Sequence, residues 1–337
     1  MTLKIVATVI GAGLAATVSA CGTADPVSDS YVVAFKVAED RQEFVESADA
    51  LAQWITDATG TPTDVLTVLD DQAQITALAT GQADVAYMSG GPSWIAWSTF
   101  GAEAIAAAVQ EGGDTSYIAG FWTLADSGIN DIEGMRGTRS CHTGELAGTG
   151  MLVPMGYLIG HGYIDMTDLD TDDISSLRQA REQFFASSKI GGGYLGALQC
   201  LSTGEGDVAT GRSTAWNDFC GTEDPQPWCL PRSAYEWVPA SGGADPALEG
   251  TGGLVRVPSH PVMVSPTLPD SDRAALQQAF LALSDNALSD NESGQQILTE
   301  ILGAESFRTV TAESHLAPYG DVVQHVPGIE NHFGGGN

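Results

Sequence analysis

Basic residues are scarce. The 337 residues hold 13 Lys and Arg against 43 Asp and Glu, a formal net charge of −30. Phosphate-backbone recognition needs a cationic stripe, so nucleic-acid binding is excluded. The acids are scattered rather than blocked and 43% of residues are hydrophobic, which excludes a disordered chain. Such acidity reads as a solvated surface and as a long-range field that draws cations. Also missing are GxSxG, HExxH and Walker patterns. The neighbours Cys141 and His142 do not make a nucleophilic pair, because adjacent strand residues point to opposite faces. The chain therefore reads as a binding protein and not as an enzyme.

No apolar run beyond residue 20 is long enough to cross a membrane. Residues 1–20 combine Lys4 with an apolar stretch from Ile5 to Ala16, the pattern of a signal peptide. Val18-Ser19-Ala20-Cys21 resembles a lipobox, in which cleavage leaves Cys21 to receive lipid; the alternative is a plain secretory site that leaves Cys21 a free thiol. The expected mature protein starts with a polar linker (21–30) and is monomeric, extracytoplasmic and tethered to the membrane.

No CxxC spacing occurs either, which argues against a zinc site. Outside the cytosol the four remaining cysteines read first as disulfides. Cys220 and Cys229 enclose a short Pro-rich loop and pair with each other, leaving Cys141 with Cys200.

The hydrophobic pattern alternates strand and helix. Tyr31–Val37, Val65–Leu69 and Ala83–Tyr87 read as strands, and Glu43–Thr59 and Gln72–Thr80 as helices. That alternation predicts an α/β layer with a largely parallel sheet, its ligand beyond the strand ends at Met88–Pro92. Further strands are expected at Ser116–Leu124, Asp207–Thr210 and Gly253–Val264, with helices from Met151 to about Gly160, at Asp270–Ser284 and at Ser293–Ile301. Two long strands flanking a whole α/β block suggest two lobes and a hinge. The expected divisions are 31–116 plus 261–327 for one subdomain, 117–260 for the other, and a flexible tail at 328–337.

Four segments then resemble, in order, the lobes of the transferrin family: TSYIAGFWTLADSG from Thr115, RGTRSCHTGELAGTGMLVPMGYLIG from Arg136, YLGALQCLSTGEGDVATGRST from Tyr194, and LVRVPSH ending at His260. The wider relatives are type II periplasmic binding proteins, including anion- and phosphonate-binding ones. The resemblance implies a bilobal type II binding-protein fold. It implies that Tyr117, Tyr194 and His260 hold ferric iron, and that Thr143 and the turn Gly148-Thr149-Gly150 hold a synergistic carbonate, bicarbonate or similar anion. The chemistry agrees: ferric iron is hard and favours anionic oxygen, and free N–H groups opening a helix cradle anions.

Two positions depart from the family. Ser89 stands where an aspartate ligand is expected, and Ala147 where an arginine faces the anion. The losses compensate in formal charge. Glu145 is a candidate substitute carboxylate or a solvated loop acid, and Arg212 falls where some transferrins carry a lysine of an acid-release pair. The first functional expectation is a lipid-anchored receptor that captures ferric iron for an uptake permease. The alternative is a metal-free receptor for phosphonate, phosphite or phosphate serving an ABC transporter.

Overall fold

The computed structural model describes residues 28–36, 43–110, 113–240, 248, 252–288 and 292–334. The expected leader, Cys21 and most of the linker lie outside the described residues. Along the chain come β1 (Tyr31–Lys36), β2 (Thr63–Val68), β3 (Val85–Tyr87) and β4 (Glu103–Val109). They are followed by β5 (Ser116–Leu124), β6 (Arg139–His142), β7 (Ser187–Ile190), β8 (Val208–Arg212), β9 (Tyr235–Trp237) and β10 (Gly253–Pro258). Last are β11 (Pro261–Val264) and β12 (Ser306–Thr309).

These strands form two six-stranded sheets. The first runs β12-β4-β11-β3-β1-β2, and the second runs β10-β5-β8-β6-β7 with β9 paired to β5. Each sheet is parallel where strand–helix units repeat, at β2-β1-β3 and at β7-β6-β8. Each turns antiparallel where the chain crosses between lobes, so the sheets are mixed rather than largely parallel. This is a bilobal type II α/β fold.

Helix Glu43–Thr59 forms where its spacing predicts it, burying Ala48, Leu51, Ala52 and Ile55 on one face. Each buried leucine or isoleucine there contributes roughly 1.5–3 kcal/mol. The stretch Gly253–Val264 is not one strand. It breaks at Ser259 and His260, where the chain leaves the second sheet for the first. The other crossing lies between β4 and β5, and Ser259 fastens the two together. Its N–H donates to the Thr115 carbonyl at 2.9 Å, and its hydroxyl reaches Thr115 and Ala108.

Helix Ala312–Val323 touches both lobes. Its start is fixed by a reciprocal cap between Thr311 and Ser314, the kind of device that contributes about 1 kcal/mol. A Cβ on Gly156 would meet the Val322 carbonyl oxygen at 2.4 Å, and one on Gly320 would meet the Trp94 indole at 2.2 Å. Hydrogen at both positions lets this helix lie against a helix from each lobe. The segment expected as a flexible tail behaves differently: Ile329–Gly334 is helical, with Ile329 and Phe333 buried. Both disulfides form, Cys141–Cys200 and Cys220–Cys229.

Candidate ligand-binding cleft

A cavity of about 320 Å³ opens between the two sheets. Tyr117, Tyr194, His260, Thr143, Gly148 and Thr149 all border it. Ser89 and Ala147, the two departures from the transferrin pattern, border it as well. Gly150 does not: it is buried behind the loop, and its carbonyl accepts from His142 Nδ1 at 2.9 Å and from the Thr210 hydroxyl at 2.6 Å.

Tyr117 is the second residue of β5, just past the crossing. The Thr149 hydroxyl donates to its phenol oxygen at 3.1 Å, tying this strand to the loop 143–150. Burial pushes the Tyr117 phenol far above the usual range and the neighbouring Tyr194 adds to this, while the Thr149 bond opposes it. Tyr194 opens helix Tyr194–Ser202 after Gly192 and Gly193, whose φ values of 73° and 126° suit only glycine. The Gly191 and Gly193 N–H groups donate to the His142 and Thr143 carbonyls, both at 2.7 Å, fastening this loop to the loop 143–150. The Arg212 guanidinium lies 4.8 Å from the Tyr194 ring centre and pairs with Asp218 at 2.9 Å.

His260 sits in the break between β10 and β11, 5.3 Å from the Tyr87 ring. Protein surrounds much of the imidazole and lowers its pKa, helped by Lys36 and opposed by Asp71. The residue is nevertheless exposed where it borders the cavity, and solvent there limits the desolvation.

Two helix starts meet at the cavity. Helix Gly90–Phe100 begins after Ser89, and a π-turn at Gly148–Leu152 leads into helix Val153–Gly160. Neither start has a side-chain cap. The first N–H groups of a helix lack partners inside it and carry partial positive charge, so both ends favour an anion. Among the described residues that line the cavity there is no Lys or Arg. Glu145 does not border it; this acid is exposed and pairs with the buried Arg181 at 3.0 Å.

Sequence reasoning missed Asp71, Phe333 and Tyr319, which also line the cavity. Asp71 pairs with Lys36 at the start of helix Asp71–Ala79. Tyr319 is wholly buried, with no hydrogen-bond partner for its hydroxyl among the described residues. Neither has a local motif; only the packing brings them here.

His142, one residue before Thr143, is structural. A carbonyl can only accept, so Nδ1 carries the proton toward Gly150, and Nε2 accepts from the Ser140 hydroxyl at 2.9 Å. Burial pushes its pKa from 6.5 down to about 4, the Gly150 bond opposes this and Arg181 adds to it. Between those two values the unfolded chain takes a proton that the folded chain refuses. The stabilisation is therefore complete above pH 6.5 and is lost as pH falls toward 4, by roughly 3 kcal/mol. Urea unfolding across that window should record the fall, and His142→Gln should flatten it. His260 and His315, also lowered by burial, add slope of the same sign and should leave a residue of it.

The family described as "ABC transporter, phosphonate, periplasmic substrate-binding protein" matches residues 33–315. The chain belongs to this family. In this phosphonate-type binding protein the transferrin likeness persists at a distance. It is 28% identical to human melanotransferrin over 218 residues, covering 55% of this chain and 30% of that protein. It is 30% identical to chicken ovotransferrin over 176 residues, covering 43% and 24%. The match thus spans only about a quarter to a third of these relatives. Among solved structures, XAC2383 from Xanthomonas citri bound to chloride aligns with a TM-score of 0.60 at 15% identity, over 90% of this chain and all of that one. Its ATP-bound form aligns at 0.59, over 89% and 98%. At that identity the likeness speaks for the fold alone. Among the described residues no three His, Cys, Asp or Glu side chains gather as a metal site, so a ferric site here would depend on phenolates.

Proposed function

We propose that this binding protein captures a small oxyanion of the phosphate or phosphonate class in the interlobe cleft and presents it to an ABC permease. The carrying observation is the donor set. Two uncapped helix starts border one cavity together with Thr143, Tyr117 and Tyr194, and with Thr149, whose hydroxyl already donates to Tyr117. Burial keeps the Tyr117 phenol protonated, so it offers an O–H rather than a negative charge. Apart from Asp71, which is paired with Lys36, the polar groups on the cavity wall are neutral, and neutral donors suit an anion because they carry no charge that binding must desolvate. Lipid at Cys21 would hold the receptor at the outer membrane face beside its permease.

Melting curves of the purified receptor with inorganic phosphate, phosphite and methylphosphonate test this reading. At a hundred times Kd, stabilisation of about 2.7 kcal/mol is expected, a rise of roughly 5 °C. No shift with any of the three at millimolar concentration would refute it.

A second reading rests on a specific observation: Tyr117, Tyr194 and His260 share the cavity with Asp71, a carboxylate from the first lobe. Two phenols, an imidazole and a carboxylate are a ferric donor set, with the helix starts left for a synergistic anion. Ferric salt with bicarbonate should then give a visible tyrosinate charge-transfer band that Tyr194→Phe removes. A colourless titration would dismiss iron and leave the oxyanion reading intact.

A further inference from the structure

Three buried side-chain polar atoms lack a hydrogen-bond partner among the described residues: Ser93 Oγ, Arg181 Nε and the Tyr319 hydroxyl. Only Tyr319 belongs to a residue that borders the cavity. It is 0% exposed, on a helix that touches both lobes. Its hydroxyl position is fixed by two glycines. A Cβ on Gly91 would lie 3.4 Å from that oxygen, and one on Gly148 would lie 3.3 Å from it. Gly91 belongs to the first turn of helix Gly90–Phe100, and Gly148 opens the π-turn. The hydroxyl therefore stands between the two uncapped helix starts, one from each lobe.

We propose that Tyr319 is a ligand-binding and specificity residue, whose hydroxyl donates to an oxygen of the oxyanion held between the two helix starts. The inference rests on the oxyanion reading and adds a donor to it. A phenol buried without a partner destabilises the empty protein, and phenylalanine would fill the same space without that cost. Packing alone gives no reason for the oxygen. Burial and the nearby Tyr194 both resist its ionisation, so it stays a donor across the physiological range. Because the hydroxyl touches both helix starts, it can make its bond only when the lobes are together around the ligand. It thereby favours a ligand with an oxygen to spare beyond those held by either helix start alone.

The test compares wild type with Tyr319→Phe, each melted alone and with inorganic phosphate or methylphosphonate, with Kd measured by calorimetry. The empty variant should melt at the same temperature as wild type or higher. Its affinity for the oxyanion that wild type binds should fall about ten-fold or more, as for a lost hydrogen bond to a charged group. Equal affinity in both proteins overturns the role of Tyr319 and leaves the oxyanion function standing. A lower melting temperature of the empty variant also overturns it, because the hydroxyl would then have a structural partner. If wild type binds neither anion, the oxyanion reading falls and this inference with it.

Discussion

Gly150→Ala should cost the protein both stability and its ligand. A Cβ there would lie 1.8 Å from the Thr143 hydroxyl oxygen and within 2.8 Å of that side chain's two carbons. Thr143 is buried and cannot swing freely into solvent, and Gly150 is held by bonds from His142 and Thr210 to its carbonyl. Overpacking of this kind costs about 1–3 kcal/mol, and more where the backbone is pinned. The displaced Thr143 would also carry its hydroxyl off the cavity wall, so anion affinity should drop at least ten-fold. Thr143→Ala in the same chain gives partial relief, because the residue's Cβ remains 2.7 Å from the new methyl. Thr143→Gly should restore stability without restoring affinity. Denaturation and calorimetry on the single and double variants separate the two effects. A Gly150→Ala protein as stable as wild type would mean that the loop shifts easily, and the picture of a rigid anion loop would fail.

Much of this architecture is legible in the order of residues, and the exceptions have physical causes. β5 and helix Glu43–Thr59 have the ends that their apolar patterns predict. β4 leaves no such trace: its sequence, EAIAAAV, is mostly alanine, the best helix former, and it becomes a strand because six of its seven residues are buried in a sheet. The break at Ser259 and His260 is likewise invisible, since both flanks are apolar and only the change of sheet divides them. The expected parallel sheet turns antiparallel at β5, β10 and β11 because these strands carry the chain between lobes. The tail at 328–337 is short and glycine-rich, yet Ile329–Gly334 is helical, with Ile329 and Phe333 buried and Phe333 on the cavity wall.

Site residues followed a different rule. Tyr117, Tyr194 and His260 sit in ordinary-looking strand and loop sequence, and only the ordered run of four transferrin-like segments singles them out. Their convergence follows from topology: Tyr117 lies just past the first crossing between the sheets, His260 sits in the second, and Tyr194 opens a helix of the second lobe. Tyr319 had no comparable marker. It lies seven residues into a capped helix beside Pro318 and reads as a core aromatic. Its chemical meaning appears only when its hydroxyl is found unpartnered between two helix starts.

Replacing Cys141 and Cys200 together by alanine should produce the largest loss of stability and a loss of affinity as well. Their bond spans 59 positions. Loop closure of that size stabilises by about 4 kcal/mol, against roughly 3 kcal/mol for the nine-position span of Cys220–Cys229. The functional consequence follows from where the sulfurs sit. Cys141 is in β6, two residues before Thr143, and Cys200 is in the helix that Tyr194 opens. The disulfide thus clamps the strand that leads into the loop 143–150 to the helix that delivers a cleft tyrosine. Gly206 closes over it so tightly that a Cβ would lie 2.2 Å from Cys141 Sγ. Without the bond, the two halves of one binding surface are held by their shared apolar packing and by the Gly191 and Gly193 hydrogen bonds, and are freer to drift. The Cys220–Cys229 double-alanine variant is the control, since neither cysteine borders the cleft. It should melt lower than wild type yet keep its oxyanion affinity. If both double variants retain affinity to the same degree, the Cys141–Cys200 bond serves folding only, and rigidity of the second-lobe wall must come from the loop hydrogen bonds.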